Sequence, residues 1–122
     1  MKLHQAVAAG INTFTGYGEN YVAVNGARLE RSSIVLPDRI LDWNVAGFDA
    51  LRAEDFQVFE TLALEIVLLG TGLRQRFPHP SLTAALARAG VGVEVMDLQA
   101  ACRTYNILVA EERKVAAALL FG

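Results

Sequence analysis

The spacing of apolar positions changes along the chain, and its first half is typical of antiparallel strands. Residues 21–24 and 27–29 flank Asn25-Gly26, a dipeptide that supplies the positive φ angles of a type I′ turn. A second pair of short apolar runs flanks Pro37-Asp38. Because proline cannot donate a hydrogen bond to a sheet ladder, this dipeptide predicts a turn, bulge or edge between two short strands.

From about residue 53 the apolar spacing alternates between that of buried strands and that of amphipathic helices. The predicted order is a short helix from about residue 53, a strand at 65–69, a helix at 82–89, a strand at 91–96, a helix at 98–110 and a strand at 114–121. Pro80 suits the first turn of one helix, Gly90 suits the position just past its end, and Asp97 can cap the next.

This order of elements predicts the fold class. Strands that alternate with single helices through short connections normally form right-handed crossovers around a parallel sheet. We therefore predict one α/β domain over residues 1–122 with a mixed sheet, in which N-terminal antiparallel hairpins precede a βαβαβ parallel core. Residues 1–15 precede the first predicted hairpin and are expected to form a flexible or loosely packed arm.

Composition narrows the class of protein. Apolar residues make up 53% of the 122 residues, yet no strictly apolar run approaches the roughly 18 residues of a spanning helix. The 11 basic and 13 acidic residues are scattered, which argues against a nucleic acid as the main partner. The single Cys102 excludes an internal disulfide, and no Cys or His pair has the spacing of a zinc site. We expect a soluble, cytoplasmic chain without metal or cofactor.

The candidate site consists of two loops of the predicted sheet. Ligands of open α/β sheets lie outside the carboxyl ends of the strands, so the loops after Leu69 and Met96 are expected to emerge side by side. The first loop contains two glycines whose backbone N–H groups can turn toward an anion. The candidate ligand-binding or partner-binding residues are Gly70, Thr71, Gly72, Arg74, Asp97, Arg103 and Asn106.

Each candidate also has a structural interpretation. The glycine loop lacks the Gly-Lys-Ser/Thr ending of a P-loop, so a simple turn is the alternative. Arg103 could form an ion pair with Asp97 or another carboxylate, and Asn106 could belong to a solvated helix face. Cys102 lies on the apolar stripe of its helix, with no His placed as its base, so no catalytic set is predicted.

Several segments together resemble one known family. They are "GYG" at 16–18, "SIVLPDRILDW" at 33–43, "LLGTG" at 68–72 and "VGVEVMDLQAACRTYNILVAEERKVAAALL" at 91–120. The chain is similar to the small domain family that includes mitochondrial respiratory complex I (NADH dehydrogenase) assembly factor three and the adipogenesis-associated domain proteins. Residues 100–106 are the most specific part, and one departure is Leu98, where the family often carries Thr.

This resemblance implies a compact α/β domain for which no catalytic activity is established. It implies work as an assembly or interaction factor, whose partners are proteins such as respiratory-complex subunits or other assembly proteins. Bacterial members of the family are mostly described as conserved proteins of unknown function. The residues leave two alternatives open: a small-molecule or anion-binding protein or enzyme that uses the crevice, and a homo-oligomer formed through an exposed strand edge.

Overall fold

The computed structural model describes residues 10–121 and has a layered α/β architecture. A five-stranded mixed sheet carries a helical layer on one face, and a helix with a second, three-stranded sheet on the other. The predicted N-terminal arm at 1–15 falls largely outside the described residues. Within them, Asn12 is tied to the mixed sheet, since its side-chain amide donates to the carbonyl of Leu36 over 2.8 Å.

The predicted elements are present in the predicted order, and a strand at Phe14–Tyr17 and a 3₁₀ helix at Phe48–Ala50 are additional. The strands are β1 (Phe14–Tyr17), β2 (Val22–Val24), β3 (Ala27–Leu29), β4 (Ser33–Leu36), β5 (Arg39–Asp42), β6 (Ile66–Gly70), β7 (Gly92–Met96) and β8 (Val115–Leu119). The helices are α1 (Pro80–Arg88) and α2 (Leu98–Ala110), with two 3₁₀ helices, η1 (Phe48–Ala50) and η2 (Ala53–Thr61).

Both predicted hairpins are confirmed. Asn25 and Gly26 have φ angles of 49° and 88°, as a type I′ turn between β2 and β3 requires. The Pro37-Asp38 dipeptide turns the chain between β4 and β5. The two hairpins join different sheets: β1, β2 and β3 form the separate three-stranded sheet, whereas β4 and β5 extend the mixed sheet.

The parallel core is also confirmed. The order in the mixed sheet is β5-β4-β8-β6-β7, with β6 parallel to both β7 and β8 and with β4 antiparallel to β8. The chain steps outward from β6 to β7 and then returns past β6 to β8, so right-handed crossovers place α1 and α2 on opposite faces. The strand order therefore reverses between β6 and β8.

Alternating side chains of the central strands fill the two cores. Val67 and Leu69 of β6 face the layer of α1 and η2, while Leu68 faces α2. The predicted short helix from residue 53 is the 3₁₀ helix η2. Its Phe56 and Phe59 pack edge-on against Trp43, with ring centroids 5.8 and 5.7 Å away, which anchors this layer to the sheet.

Candidate functional site

A crevice of about 330 Å³ opens at the carboxyl ends of β6 and β8, where the strand order reverses. This is the position at which open α/β sheets bind their ligands. The lining residues are Glu19, Asn20, Phe48, Thr71, Gly72, Leu73, Arg74, Arg76, Leu98, Leu120 and Phe121. The walls are thus the loop after β6, the start of α2, the turn between β1 and β2, and the segment after β8.

The loops that follow β6 and β7 lie side by side, as predicted. The N–H of Thr71 donates to the carbonyl of Met96 over 2.9 Å. The N–H of Leu98 donates to the carbonyl of Gly72 over 2.8 Å. These two bonds continue the parallel pairing of β6 and β7 past the end of the sheet and hold the crevice wall in place.

Gly70 is the last residue of β6 and allows close packing between α2 and the sheet. A Cβ atom at this position would stand 3.0 Å from Leu119 Cδ2 and 3.1 Å from Ala101 Cβ. Such distances are shorter than ordinary van der Waals contact. The absence of a side chain at Gly70 therefore allows α2 to approach β6 closely and brings the first turn of α2 to the crevice.

The polar groups of Thr71 are used within its own loop. Its hydroxyl donates to the carbonyl of Arg74 over 2.7 Å and accepts from the N–H of Arg76 over 3.0 Å. Gly72 follows with a φ of 102°, a conformation that favours glycine. Thr71 and Gly72 thus shape the turn, which agrees with the structural interpretation of these two residues.

Other groups of the same loop have no hydrogen-bond or ion-pair partner within the described residues. Within residues 10–121, the backbone N–H groups of 72–75 donate to no protein acceptor, and the exposed Arg74 side chain makes no ion pair. Leu73 and Phe77 are 66% and 72% exposed. The loop therefore offers a cation, free N–H donors and apolar surface together.

Arg76 is held in place as part of the crevice wall. Its Nη2 lies 2.7 Å from the Asp49 carboxylate, and its guanidinium carbon lies 4.2 Å from the centroid of the Phe48 ring. Both partners belong to η1. A planar guanidinium suits this combination of an ion pair with stacking on an aromatic ring.

Asp97 directly precedes α2 and Arg103 lies on it, but the two residues have separate partners. Asp97 caps the helix as predicted, since its Oδ1 accepts from the N–H of Ala100 over 2.8 Å. The suggested ion pair of Arg103 does not form with any carboxylate of residues 10–121; its Nη1 lies 3.4 Å from the Tyr17 hydroxyl. That hydrogen bond raises the pKa of the Arg103 guanidinium, and the charge of Asp97 adds to the effect.

Asn106 lies away from the crevice and joins α2 to the three-stranded sheet. Its Oδ1 accepts from the N–H of Phe14 over 2.9 Å, and its Nδ2 donates to the carbonyl of Phe14 over 2.8 Å. Asn106 is two turns beyond Leu98, about 12 Å along the helix. The structure therefore brings Gly72 and Arg74 to the crevice, with Thr71 forming its wall, but does not bring Asn106 there.

Cys102 is buried on the opposite side of α2 from solvent. Only 1% of the residue is exposed. Burial raises the pKa of its thiol from 9.0 to about 12, and the nearby charge of Arg103 opposes this only in part. A thiol with this pKa is not a nucleophile at neutral pH.

Several crevice residues are absent from the predicted site. Glu19 and Asn20 come from the turn between β1 and β2, and Leu120 and Phe121 follow β8. The predicted parallel core contains the signal for Leu120 and Phe121, because the segment after β8 leaves the sheet at the same end as the loop after β6. Nothing local to the turn indicates that the separate three-stranded sheet supplies a wall.

Neither a metal site nor a membrane-spanning helix is found in the part of the chain that the structure describes. No group of three or more His, Cys, Asp or Glu side chains within residues 10–121 could hold a metal ion. The longer helix there, α2, has 13 residues, and none of the helices described is long and apolar enough to cross a bilayer.

Together these features define a mixed α/β domain with a crevice at the point where the strand order reverses, beside a loop that carries Arg74 and the exposed Leu73 and Phe77. The chain belongs to the family described as "Protein of unknown function (DUF498/DUF598)", which it matches over residues 14–120. The fold is similar to that of a solved protein from Bordetella parapertussis. The two sequences are 42% identical, and the crystal structure of that protein superposes with a TM-score of 0.87 over 93% of this chain and 98% of that one.

Named relatives are similar over most of the chain. NADH dehydrogenase (ubiquinone) 1 alpha subcomplex assembly factor 3 of Xenopus tropicalis is 36% identical over 112 residues, 90% of this chain and 60% of that protein. The protein of the same name from Danio rerio is 33% identical over 122 residues, 98% of this chain and 70% of that protein. The chain thus spans about 60 to 70% of the length of these relatives.

Proposed function

We propose that this chain is a non-catalytic assembly factor that binds protein partners during the assembly of a respiratory NADH dehydrogenase. Its similarity to the assembly factors named above, over nearly the whole of its own length, carries the proposal.

The chemistry of the crevice and of the adjoining helix α2 supports binding over catalysis. Thr71 and Asp97 use their oxygen atoms in a turn and a helix cap. Cys102 is buried, and burial raises the pKa of its thiol. The loop after β6 presents the exposed Arg74 beside the exposed Leu73 and Phe77, a combination that suits contact with another protein.

Affinity purification from respiring cells of the organism that carries this chain tests the proposal. The tag should be kept away from Leu120 and Phe121, because these residues line the crevice. We expect subunits or assembly proteins of the NADH dehydrogenase to be enriched over an untagged control. Deletion of the gene should lower the amount of assembled enzyme on a native gel. A normal level of enzyme, together with no enrichment, contradicts the proposal.

The cellular compartment and the oligomeric state belong to the same proposal. We place the chain in the cytoplasm of its cell, which fractionation and immunodetection test. An alternative to a hetero-partner is a second copy paired along β7, an edge strand of the mixed sheet. The side chain of Gln75 already donates to the Val95 carbonyl over 2.8 Å, which occupies one acceptor of that edge. Light scattering decides between monomer and dimer.

A second candidate function is the binding of a small anion. The observation in its favour is the run of N–H groups at 72–75 without protein acceptors beside Arg74, within the described residues. Titration calorimetry with inorganic phosphate and with acetate tests it. Saturable heat that disappears in Arg74→Gln supports this candidate, and a trace equal to the buffer dilution contradicts it.

A further inference from the structure

The loop from Gly72 to Pro78, hereafter the basic loop, has an unusual surface for a segment of this size. Its two large apolar side chains, Leu73 and Phe77, are more exposed than any other large apolar residue described. Single exposed apolar residues are common, but two on one seven-residue loop beside a crevice are typical of a contact surface.

The charge of the basic loop differs from that of the chain. The chain has a net charge of −2, whereas the basic loop carries Arg74 and Arg76 and no acidic residue. Asp49 neutralises Arg76 over 2.7 Å. Arg74 is exposed and pairs with no carboxylate of residues 10–121, so its charge is available to a partner. The one acidic side chain lining the crevice, Glu19, comes from the β1–β2 turn.

The backbone of the basic loop adds hydrogen-bond donors. The N–H groups of 72–75 have no acceptor in the part of the chain that the structure describes. Carboxylates and peptide carbonyls can accept such bonds, and bonds to charged acceptors are the stronger ones. Donors, cation and apolar side chains therefore favour the same class of partner, an acidic peptide segment that also carries apolar residues.

We propose that the basic loop is the docking surface for an acidic segment of a protein partner. The carboxylates of that segment pair with Arg74 and the free N–H groups, and its apolar side chains pack on Leu73 and Phe77. This proposal rests on the proposed function, because it names the chemistry of the partner that an assembly factor would hold at this site.

Charge and exposed apolar surface together favour an acidic peptide over a second copy of this chain or a small anion. In a two-fold dimer formed through the basic loop, Arg74 of one copy would face the same residue of the other, and such like-charge contact is unfavourable. A small anion would satisfy Arg74 but would leave Leu73 and Phe77 exposed to water. An acidic peptide with apolar side chains satisfies all three residues.

Photo-crosslinking in the cell tests the identity of the occupant. The variant Phe77→p-benzoylphenylalanine keeps an aromatic side chain on the basic loop. The matched control is Ile107→p-benzoylphenylalanine, at a position on α2 that is 59% exposed. Mass spectrometry then identifies the linked segment. We expect position 77 to link to a protein segment in which Asp and Glu outnumber Lys and Arg. A neutral or basic segment, a second copy of this chain, or no link at position 77 overturns the proposal.

Charge reversal tests the same contact with purified components. The probe is a synthetic peptide of the crosslinked segment, and fluorescence anisotropy measures its affinity. We expect Arg74→Glu to weaken binding about tenfold or more. Lys114→Glu is the matched control, because it makes the same change in charge. Lys114 lies just before β8, at the end of the strand opposite the crevice, so this variant should bind the peptide like the parent chain.

Further controls separate docking from folding and from the proposed function. Circular dichroism should show unchanged melting for both variants, since both side chains are exposed. Equal affinities of Arg74→Glu and the parent chain overturn the docking surface. If NADH dehydrogenase proteins still co-purify with Arg74→Glu, the docking surface is wrong and the proposed function stands. If the linked acidic segment belongs to an unrelated protein, the proposed function fails and the docking surface stands.

Discussion

At the scale of the residue, neighbouring polar side chains on α2 have different roles that their spacing does not reveal. Asp97 caps the helix, Arg103 reaches the Tyr17 hydroxyl, and Asn106 holds the backbone of Phe14. The three roles require partners from the helix itself, from the end of β1 and from the start of β1. The consequences of replacing these residues should therefore differ.

Asn106→Ala should destabilise the fold by about 2 kcal/mol, because two hydrogen bonds are lost and the N–H and carbonyl of Phe14 lose their partner. Urea denaturation followed by circular dichroism measures the change. Gln99→Ala, at an exposed position on the same helix, is the matched control and should unfold at the parent midpoint. Identical midpoints for both variants would show that the contact with β1 is unimportant.

Arg103→Ala should leave the melting temperature unchanged. The guanidinium is exposed and makes one long hydrogen bond to Tyr17, with no carboxylate partner among the residues described. Tyr17→Phe removes only the hydroxyl and should melt alike. A marked loss of stability in Arg103→Ala alone would indicate a structural ion pair.

At the scale of the element, the close approach of α2 to β6 and β8 positions the crevice wall. Small residues line this contact: Gly70 in β6, Ala101 in α2 and Ala117 in β8 are all buried. Small side chains on both surfaces let the helix axis lie close to the sheet. The first turn of α2 is thereby held against the loop after β6, as the bond from Leu98 to Gly72 shows.

Gly70→Ala should therefore destabilise the fold by about 1–3 kcal/mol, because the added methyl group overpacks the contact. The new Cβ would lie 3.1 Å from Ala101 Cβ, and the helix backbone would have to move. Gly92→Ala in β7 is the control, since its Cβ would meet nothing closer than 3.7 Å. Thermal melting compares the two, and equal melting temperatures would contradict tight packing at Gly70.

At the scale of the whole molecule, α2 is enclosed between the two sheets and buries two weakly acidic groups. Tyr105 packs edge-on against Phe14 at 5.1 Å, and its hydroxyl donates to the carbonyl of Asn12 over 3.0 Å. Burial raises the pKa of Tyr105 above its ordinary value, and burial also raises that of Cys102 to about 12. Both groups are neutral in the folded chain at physiological pH.

The free energy of unfolding should consequently fall as the pH rises above about 9. A group whose pKa is raised by folding contributes stability below its unfolded pKa and loses it as the pH rises through the folded pKa. For Cys102 this window runs from 9.0 to about 12. The free energy of unfolding, measured in urea from pH 8 to pH 11, should decline more steeply for the parent chain than for Cys102→Ala. Equal slopes would show that the thiol does not titrate differently on folding.

Local chemistry explains why most of the fold was predictable. Asn25-Gly26 and Pro37-Asp38 restrict the backbone to turns, and Asp97 marks the start of a helix. These signals lie within a few residues of the structures they determine. The same holds for the turn at Thr71-Gly72, where the Thr71 hydroxyl bonds three and five residues ahead, to Arg74 and Arg76.

The candidate site was predictable only in part. The adjacency of the loops after β6 and β7 follows from parallel pairing, which places Gly72 and Arg74 at the crevice. That these residues bind a ligand or a partner stays a prediction. The role of Asn106 was not predictable, since its partner Phe14 is 92 residues away along the chain. The contact between Arg76 and Asp49 likewise joins residues 27 positions apart.

The sequence by itself determined the order and type of the elements, because hydrophobic period and turn residues act over a few positions. Only the tertiary structure decided that the first hairpin forms a separate sheet over α2 while the second extends the mixed sheet. Both hairpins consist of two short apolar strands and a tight turn, and burial of their apolar faces against distant side chains selects between the two places. The walls of the crevice follow from that selection, since the turn carrying Glu19 and Asn20 reaches it only from the separate sheet.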